Sequence, residues 1–215
     1  MKKIPRIGAF IIALICAIFA TAEENVQFEE GKDYFSYQTP LSQRIRADHK
    51  IRIQFFFDYD CRTCSGAQDI LTLYQQLNPN HVALEEYPVA TDDNIFSARI
   101  FYTLKTLNAT ELSAALLFET AEKSRYTELA GLSKIRFWAQ GKGIDGKRFM
   151  RAAYSPKVRQ DITEAIALTE EYGVFTYPYV IIGGKYVLTA STLYNDDYAI
   201  AVLDFLINKI IKEQP

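Results

Sequence analysis

Two cysteines stand where a predicted strand gives way to a predicted helix. They are the ends of Cys61-Arg62-Thr63-Cys64, which follows the apolar run Ile51–Phe57 and precedes the helical pattern of residues 65–77. A disulfide can close across this spacing in the first helical turn, and the positive end of the helix dipole can stabilise a thiolate there. The arrangement is typical of thiol–disulfide exchange, and it limits the fold to one that joins a buried strand directly to a helix.

The first residues of the chain indicate its compartment. Lys2, Lys3 and Arg6 precede an apolar run of 14 residues, and Ala20-Thr21-Ala22 fits the pattern of a signal-peptidase site. A membrane span needs about 20 apolar residues. The run therefore predicts a cleaved secretory signal peptide over residues 1–22, with an uncleaved membrane anchor as the alternative.

Cleavage would leave Cys61 and Cys64 as the only cysteines of a 193-residue chain, because Cys16 lies in the signal segment. A chain of that length can bury a sizeable core, and a three-residue separation closes a loop too short to stabilise the fold much. We therefore expect a chemical use for the pair. The signal segment carries three basic residues and no acid, so its loss lowers the net charge from −2 to −5, which argues against a nucleic-acid partner.

The hydrophobic pattern predicts strands at both ends of the chain and helices between them. Residues 51–57 and 82–89 flank the first helix, which indicates a parallel strand–helix–strand unit. Two β-prone runs around Gly183-Gly184 indicate a hairpin with a two-residue loop. The other predicted helices cover residues 95–107, a segment from Thr110, residues 129–139, residues 157–172 and residues 195–212.

This order, with the cysteine pair at the first strand–helix junction, resembles the thioredoxin fold. More narrowly, it resembles the DsbA family of periplasmic thiol oxidoreductases, in which a helical domain is inserted into a thioredoxin domain. Five segments carry the resemblance: FEEGKDY at 28–34, FFFDYDC at 55–61, GIDG at 143–146, YGVFTYP at 172–178 and GGKY at 183–186. The resemblance implies an α/β fold, with thioredoxin-domain parts at residues 23–91 and 161–215 and a helical insertion at residues 92–160.

The resemblance also implies a function, a periplasmic thiol:disulfide interchange protein that donates the Cys61–Cys64 disulfide to secreted proteins during oxidative folding. The implied partners are reduced or unfolded secreted proteins and a membrane, quinone-linked DsbB-like reoxidase. The redox-active disulfide would serve without a metal or other cofactor, in a monomer. The implied site residues are Cys61 and Cys64 for catalysis, Arg62 and Thr63 as modulators, and Tyr177 with a cis Pro178 for substrate binding.

The positions of the two cysteines predict different exposures. Cys61 lies at or before the first helical turn, where it can be exposed, and Cys64 lies one turn further in, where it should be more covered. Asp58 and Asp60 are close enough in sequence to raise the pKa of Cys61. Asp58 could also assist proton transfer to Cys64, although we expect a solvated acid at the strand end.

Three departures from the family pattern predict a specialised or less oxidising relative. Arg62-Thr63 stands where the best-known oxidases of the family have proline and histidine. The active-site strand carries Gln54 and Phe55 where the family often has a buried acid, and Tyr177 is bulkier than the usual residue before the proline.

Other functions remain open from the sequence. Within the same chemistry, a disulfide reductase or isomerase is the main alternative. A chaperone-like binding module with an incidental disulfide, and a glutathione transferase of similar architecture, are others. A zinc site that adds His49 and His81 to the cysteines is a further candidate, but the two histidines lack paired ligand spacing.

Overall fold

The structure is a computed structural model that describes residues 28–41 and 48–213. The expected signal peptide at residues 1–22 lies outside the described residues. Along the chain the elements are β1 (Phe35–Ser36), β2 (Ile51–Phe57), α1 (Cys64–Leu77), β3 (Val82–Pro88), α2 (Phe96–Thr106), α3 (Glu111–Thr120), α4 (Lys123–Leu129), α5 (Leu132–Gly141), α6 (Gly146–Ala153), α7 (Pro156–Glu171), β4 (Tyr179–Ile182), β5 (Tyr186–Thr189) and α8 (Asp196–Glu213).

The described strands form one mixed sheet in the order β1-β5-β4-β2-β3. Strand β2 runs parallel to β3 and antiparallel to β4, so Phe55 lies opposite Glu86 on one side and Val180 on the other. Every residue of β2 is buried, as its almost continuous apolar sequence predicts for a central strand. The predicted parallel strand–helix–strand unit and the α/β class are confirmed.

Helix α1 covers the sheet with one apolar face. Its buried residues include Ala67, Leu71 and Tyr74, which recur at the three- and four-residue spacing of a single helix face. The Tyr74 hydroxyl donates a hydrogen bond to Asp204 Oδ1 of α8 at 2.8 Å, which ties the two helices together. The helix that begins at Cys64 is thereby held against α8, and it also packs on β3.

The segment between β3 and β4 is helical, as predicted. Helix α2 packs against α6 and α7. Asp145 caps α6 by accepting a hydrogen bond from the Arg148 N–H at 2.7 Å, and Ser155 caps α7 by accepting one from the Val158 N–H at 3.2 Å. The domain boundary predicted between residues 160 and 161 falls inside α7, and the division into domains stays a prediction.

Two local predictions are wrong. The chain turns between α3 and α4 because Glu122 is extended, with φ −80° and ψ 120°, so a separate helix precedes α5, and Leu129 ends that helix instead of starting the next. The β4–β5 loop has three residues, because Ile182 pairs with Tyr186 and leaves Lys185 outside the strand. Within residues 28–41 and 48–213, no helix combines the length and apolar character that a membrane span needs.

Candidate active site

Cys61 and Cys64 form a disulfide, with their Cα atoms 5.4 Å apart. Cys61 lies in the loop after β2, and its carbonyl accepts a hydrogen bond from the Cys64 N–H at 3.4 Å. The first turn of α1 contains no acidic residue. Both sulfurs therefore lie at a helix N-terminus, where free N–H groups and the helix dipole favour a thiolate.

The two cysteines differ little in exposure, although the sequence predicts a more exposed Cys61. Cys64 is 0 % exposed, but Cys61 is also buried, at 4 %. The expectation of an exposed Cys61 is wrong for the oxidised protein, because Cys61 packs in the hydrophobic core together with Cys64. The Thr63 side chain lies on the same side, with its Oγ1 atom 3.9 Å from Cys61 Sγ.

The two residues between the cysteines lie at the surface. Arg62 and Thr63 are both exposed. Thr63 occupies the N-cap position of α1, but its side chain makes no capping hydrogen bond. Its hydroxyl is therefore free to face the sulfur of Cys61, whereas Arg62 presents its charge to solvent beside the disulfide.

The loop before β4 reaches the same end of the sheet as the disulfide. Tyr179 of β4 pairs with Phe56 of β2, and these strands are antiparallel, so the residues before Tyr179 lie beside those after β2. The Tyr177–Pro178 peptide bond is cis. Pro178 is buried, whereas Tyr177 is 39 % exposed and Phe175 is 84 % exposed, so this loop presents aromatic surface next to the cysteines.

Two carboxylates precede Cys61, and they differ in environment. Asp58 is 4 % exposed, so the expectation of a solvated acid is wrong. Its Oδ1 atom accepts a hydrogen bond from the Asp60 N–H at 2.7 Å, which folds the loop back over the carboxylate. Burial raises the pKa of Asp58, and hydrogen bonds from the Asp60 backbone and Ser97 offset this only in part. Asp60 itself is exposed.

The helical segment supplies contacts that sequence reasoning missed. Ser97 of α2 accepts a hydrogen bond from the Tyr59 N–H at 3.1 Å, and the Tyr59 hydroxyl lies 2.8 Å from the Ser113 hydroxyl of α3. Lys123 of α4 forms an ion pair with Asp60, with 3.1 Å between Nζ and Oδ1. These residues are far from Cys61 in sequence, and isolated polar residues in helical patterns carry no signal of such contacts.

A second, half-buried carboxyl lies one helical turn below Cys64. Gln68 follows Cys64 by one helical turn, and its Nε2 atom donates a hydrogen bond to Glu86 Oε1 of β3 at 2.6 Å. The pKa of Glu86 is raised by burial, and the hydrogen bond from Gln68 offsets this only in part. Glu86 also lines a cavity of about 450 Å³ between α1, β3 and α2, together with Thr72, Gln75, Leu84, Glu85, Tyr87, Phe101, Lys105 and Thr110.

The two histidines do not join the cysteines in a metal cluster. His49 and His81 are exposed, and within the described part of the chain no three residues of the types His, Cys, Asp and Glu gather as metal ligands. Of the residues singled out from the sequence, the structure joins Cys61 to Cys64, places Thr63 beside Cys61, and places Tyr177 near Asp58 and Asp60. The residues that the sequence did not predict around the two acids are Ser97, Lys123 and Tyr126.

Known proteins similar to this chain include thiol:disulfide interchange proteins. The chain is 65% identical over 193 residues to an uncharacterized protein of Haemophilus influenzae, a match that covers 90% of this chain and 82% of that protein. It is 25% identical to the thiol:disulfide interchange protein DsbA of Burkholderia cepacia, over 98% of both chains. No family model matches the chain.

Solved structures show the same architecture. The oxidoreductase NmDsbA3 of Neisseria meningitidis superposes with a TM-score of 0.69 at 27% identity, over 87% of this chain and 99% of that one. A crystal structure of Pseudomonas aeruginosa DsbA gives a TM-score of 0.72 at 22% identity, over 86% of this chain and 95% of that one. The predicted thioredoxin fold with a helical insertion is confirmed. With a disulfide at the start of α1 and homologues of this kind, the chain belongs to the DsbA-like thiol:disulfide oxidoreductases of the thioredoxin superfamily.

Proposed function

We propose that this protein is a dithiol oxidase of the periplasm, which transfers its Cys61–Cys64 disulfide to reduced or unfolded secreted proteins. The observation that carries the proposal is a disulfide at the N-terminus of α1, beside a loop with exposed aromatic side chains. A helix N-terminus lowers the pKa of a cysteine there, and stabilising the thiolate stabilises the reduced form and makes the disulfide a better oxidant.

The exchange proceeds in two displacements. A substrate thiolate attacks Cys61 Sγ, the bond to Cys64 breaks, and Cys64 leaves as a thiolate that takes up a proton. A second substrate thiolate then attacks the substrate sulfur of the mixed disulfide and releases Cys61 as a thiolate. The substrate loses two electrons and gains a disulfide, and the protein gains those electrons as a dithiol.

The residues around the disulfide have separate parts in this scheme. Cys61 is the attacked sulfur because it lies in the loop, whereas Cys64 is the resolving residue at the start of α1. Tyr177 and Pro178 offer backbone and ring surface to an extended substrate segment, in the manner of strand addition. Arg62 and Thr63 tune the stability of the Cys61 thiolate.

A membrane-bound, quinone-linked reoxidase of the DsbB type would restore the disulfide after each cycle. Delivery to the periplasm would rest on residues 1–22 as a cleaved signal peptide. The disulfide itself would be the redox group, with no metal or other cofactor, and the protein would act as a monomer.

The reduction potential of the cysteine pair in a glutathione buffer tests the proposal. We expect a value more oxidising than about −180 mV, which suits a disulfide donor, together with oxidation of a reduced dithiol peptide. A value near about −230 to −270 mV would instead indicate a reductase or isomerase. A pair that never equilibrates with glutathione would leave a binding module as the function. Cys61→Ser is the control, since an oxidase loses all activity and a binder does not.

A further inference from the structure

Negative charge crowds the residue that the proposed exchange makes reactive. Asp58 and Asp60 precede Cys61 by three residues and by one. Carboxylates this close raise the pKa of a thiol, because they disfavour a second negative charge. Left unbalanced, the two acids would oppose the effect of the α1 N-terminus on Cys61.

A cation from another part of the chain meets one of these acids. Lys123, the first residue of α4, places Nζ at 3.1 Å from Asp60 Oδ1 and 3.4 Å from Oδ2. The same Nζ lies 5.1 Å from the centre of the Tyr126 ring. A cation is unfavourable at the N-terminus of its own helix, so the stability of α4 does not account for Lys123.

The charged and titratable groups around Cys61 come from three segments. Tyr126 of α4 and Tyr177 of the loop before β4 both have pKa values raised by burial and then by the charges of Asp58 and Asp60, which places both rings beside the acids. Asp58 is buried, whereas Asp60 and Lys123 are exposed. The two acids next to Cys61 are thus surrounded by Lys123 and Tyr126 from α4 and by Tyr177, and Arg62 follows Cys61 in the same loop.

We propose that Lys123 is a positioning residue for the Cys61 thiolate: by pairing with Asp60 it balances the negative charge next to the cysteine and keeps the disulfide a good oxidant. This inference rests on the proposed function and adds a role for the helical segment. The redox behaviour of the cysteine pair is set partly by a residue 62 positions after Cys61, on a helix outside the strand–helix–strand unit that holds the cysteines.

The charge balance predicts opposite effects for two substitutions. Lys123→Gln leaves Asp60 unpaired, so it raises the pKa of Cys61 and makes the disulfide less oxidising. Asp60→Asn leaves the lysine unpaired and does the reverse. The side chains are 69% and 39% exposed, so we expect a change of about two- to five-fold in the glutathione equilibrium constant, the range of exposed ion pairs.

The test titrates the thiolate of each reduced protein by its ultraviolet absorbance at low salt, and then measures the glutathione equilibrium. The double variant, Lys123→Gln with Asp60→Asn, restores the net charge of the pair and should return the Cys61 pKa close to the wild-type value. Lys147→Gln, at an exposed lysine of α6, is the matched control and should change neither quantity. Added salt should shrink both single-variant effects.

A merely structural role for Lys123 would not give opposite shifts that cancel. The proposal is overturned if Lys123→Gln leaves the Cys61 pKa unchanged at low salt, or if the double variant keeps the shift of Lys123→Gln. Because the titration needs no exchange, it decides this proposal even if the wild-type pair fails to equilibrate with glutathione, a result that would contradict only the proposed function.

Discussion

Cys61 and Cys64 share one bond, but they lie in regions of different character. Polar groups reach Cys61 from its own loop and from a distant helix: Thr63 Oγ1 lies 3.9 Å from its sulfur, and the adjacent Asp60 is paired with Lys123 of α4. Both cysteines belong to the hydrophobic core, but Cys64 begins α1, and one helical turn beyond it Gln68 is hydrogen-bonded to Glu86 of β3. Packing therefore holds both cysteines, whereas charges from distant parts of the chain act mainly at the Cys61 end.

The largest expected effect separates the two cysteines outright. Cys64→Ser should accumulate a mixed disulfide between Cys61 and a substrate. The second displacement can occur in reverse, with the Cys61 thiolate attacking a substrate disulfide and releasing a substrate thiolate, but no second cysteine resolves the adduct. Cys61→Ser should form no such adduct, since its remaining thiol is buried at the start of α1. Non-reducing gel electrophoresis with a disulfide-containing peptide measures the adduct. Equal amounts of adduct from both variants would contradict the assignment of Cys61 as the sulfur that reacts with substrate and Cys64 as the one that resolves the adduct.

Removing the hydrogen bond below Cys64 should lower the stability of the folded protein. Gln68→Leu removes the hydrogen-bond donor of the half-buried Glu86 carboxyl, and losing such a hydrogen bond costs about 0.5–1.5 kcal/mol of unfolding free energy. Chemical denaturation of the oxidised protein measures it. Gln76→Leu, at an exposed glutamine of the same helix, is the control and should change stability little. A cost no larger than the control's would mean that Glu86 finds another donor.

The acid buried before Cys61 should give the protein a pH-dependent stability. The pKa of Asp58 is raised in the folded state, so the native protein holds this proton more tightly than the unfolded chain. The contribution is therefore favourable at low pH and is lost as the pH rises through the raised pKa. Asp58→Asn should gain stability over the wild type as the pH rises from about 4, near the unfolded pKa, toward neutral.

Melting temperatures of the oxidised proteins across this pH range test the Asp58 prediction. Asp69→Asn, at an exposed acid of α1, removes the same charge from a solvated position and serves as the control. If Asp58→Asn and the wild type show parallel pH profiles, burial does not perturb this carboxyl and the contrast with the exposed Asp60 disappears.

The smallest effect is expected at the charge inside the cysteine motif. Arg62 is exposed, so solvent and salt screen its field at Cys61. Arg62→Gln should shift the glutathione equilibrium constant by about two-fold or less, in the less oxidising direction. A shift larger than that of Lys123→Gln would move the main electrostatic control from α4 to the motif itself.

Local signals are enough to predict most of the elements. The apolar run Ile51–Phe57 and the break at Asn78-Pro79 bound the first strand and helix, and Ser155-Pro156 marks the start of α7. Asp145 follows Gly141 and Gly143 and caps α6, and aspartate is one of the residues that most favour this position. The bounds of β2 to β5 and most helix bounds agree to within one or two residues, because periodicity and turn residues depend only on nearby sequence.

The cysteine pair and the proline loop could be predicted, but their electrostatic surroundings could not. Helix α4 buries only Leu129, so it has no apolar periodicity, and the turn at Glu122 carries neither glycine nor proline. Lys123 therefore had no predicted place. The burial of Asp58 also depends on a hydrogen bond from the Asp60 backbone and on Ser97 of α2, which are contacts that only the folded chain creates.

The order of strands in the sheet has a consequence for how the protein is made. Strand β4 lies between β2 and β5, although it follows the whole helical segment in sequence. During synthesis, Cys61 and Cys64 emerge more than 100 residues before Tyr177 and Pro178. Pairings between distant segments form late, because closing a long loop costs entropy before its contacts form. The nascent chain therefore carries both thiols for some time without the proline loop beside them, and controlled reactivity is one of the last properties that folding confers.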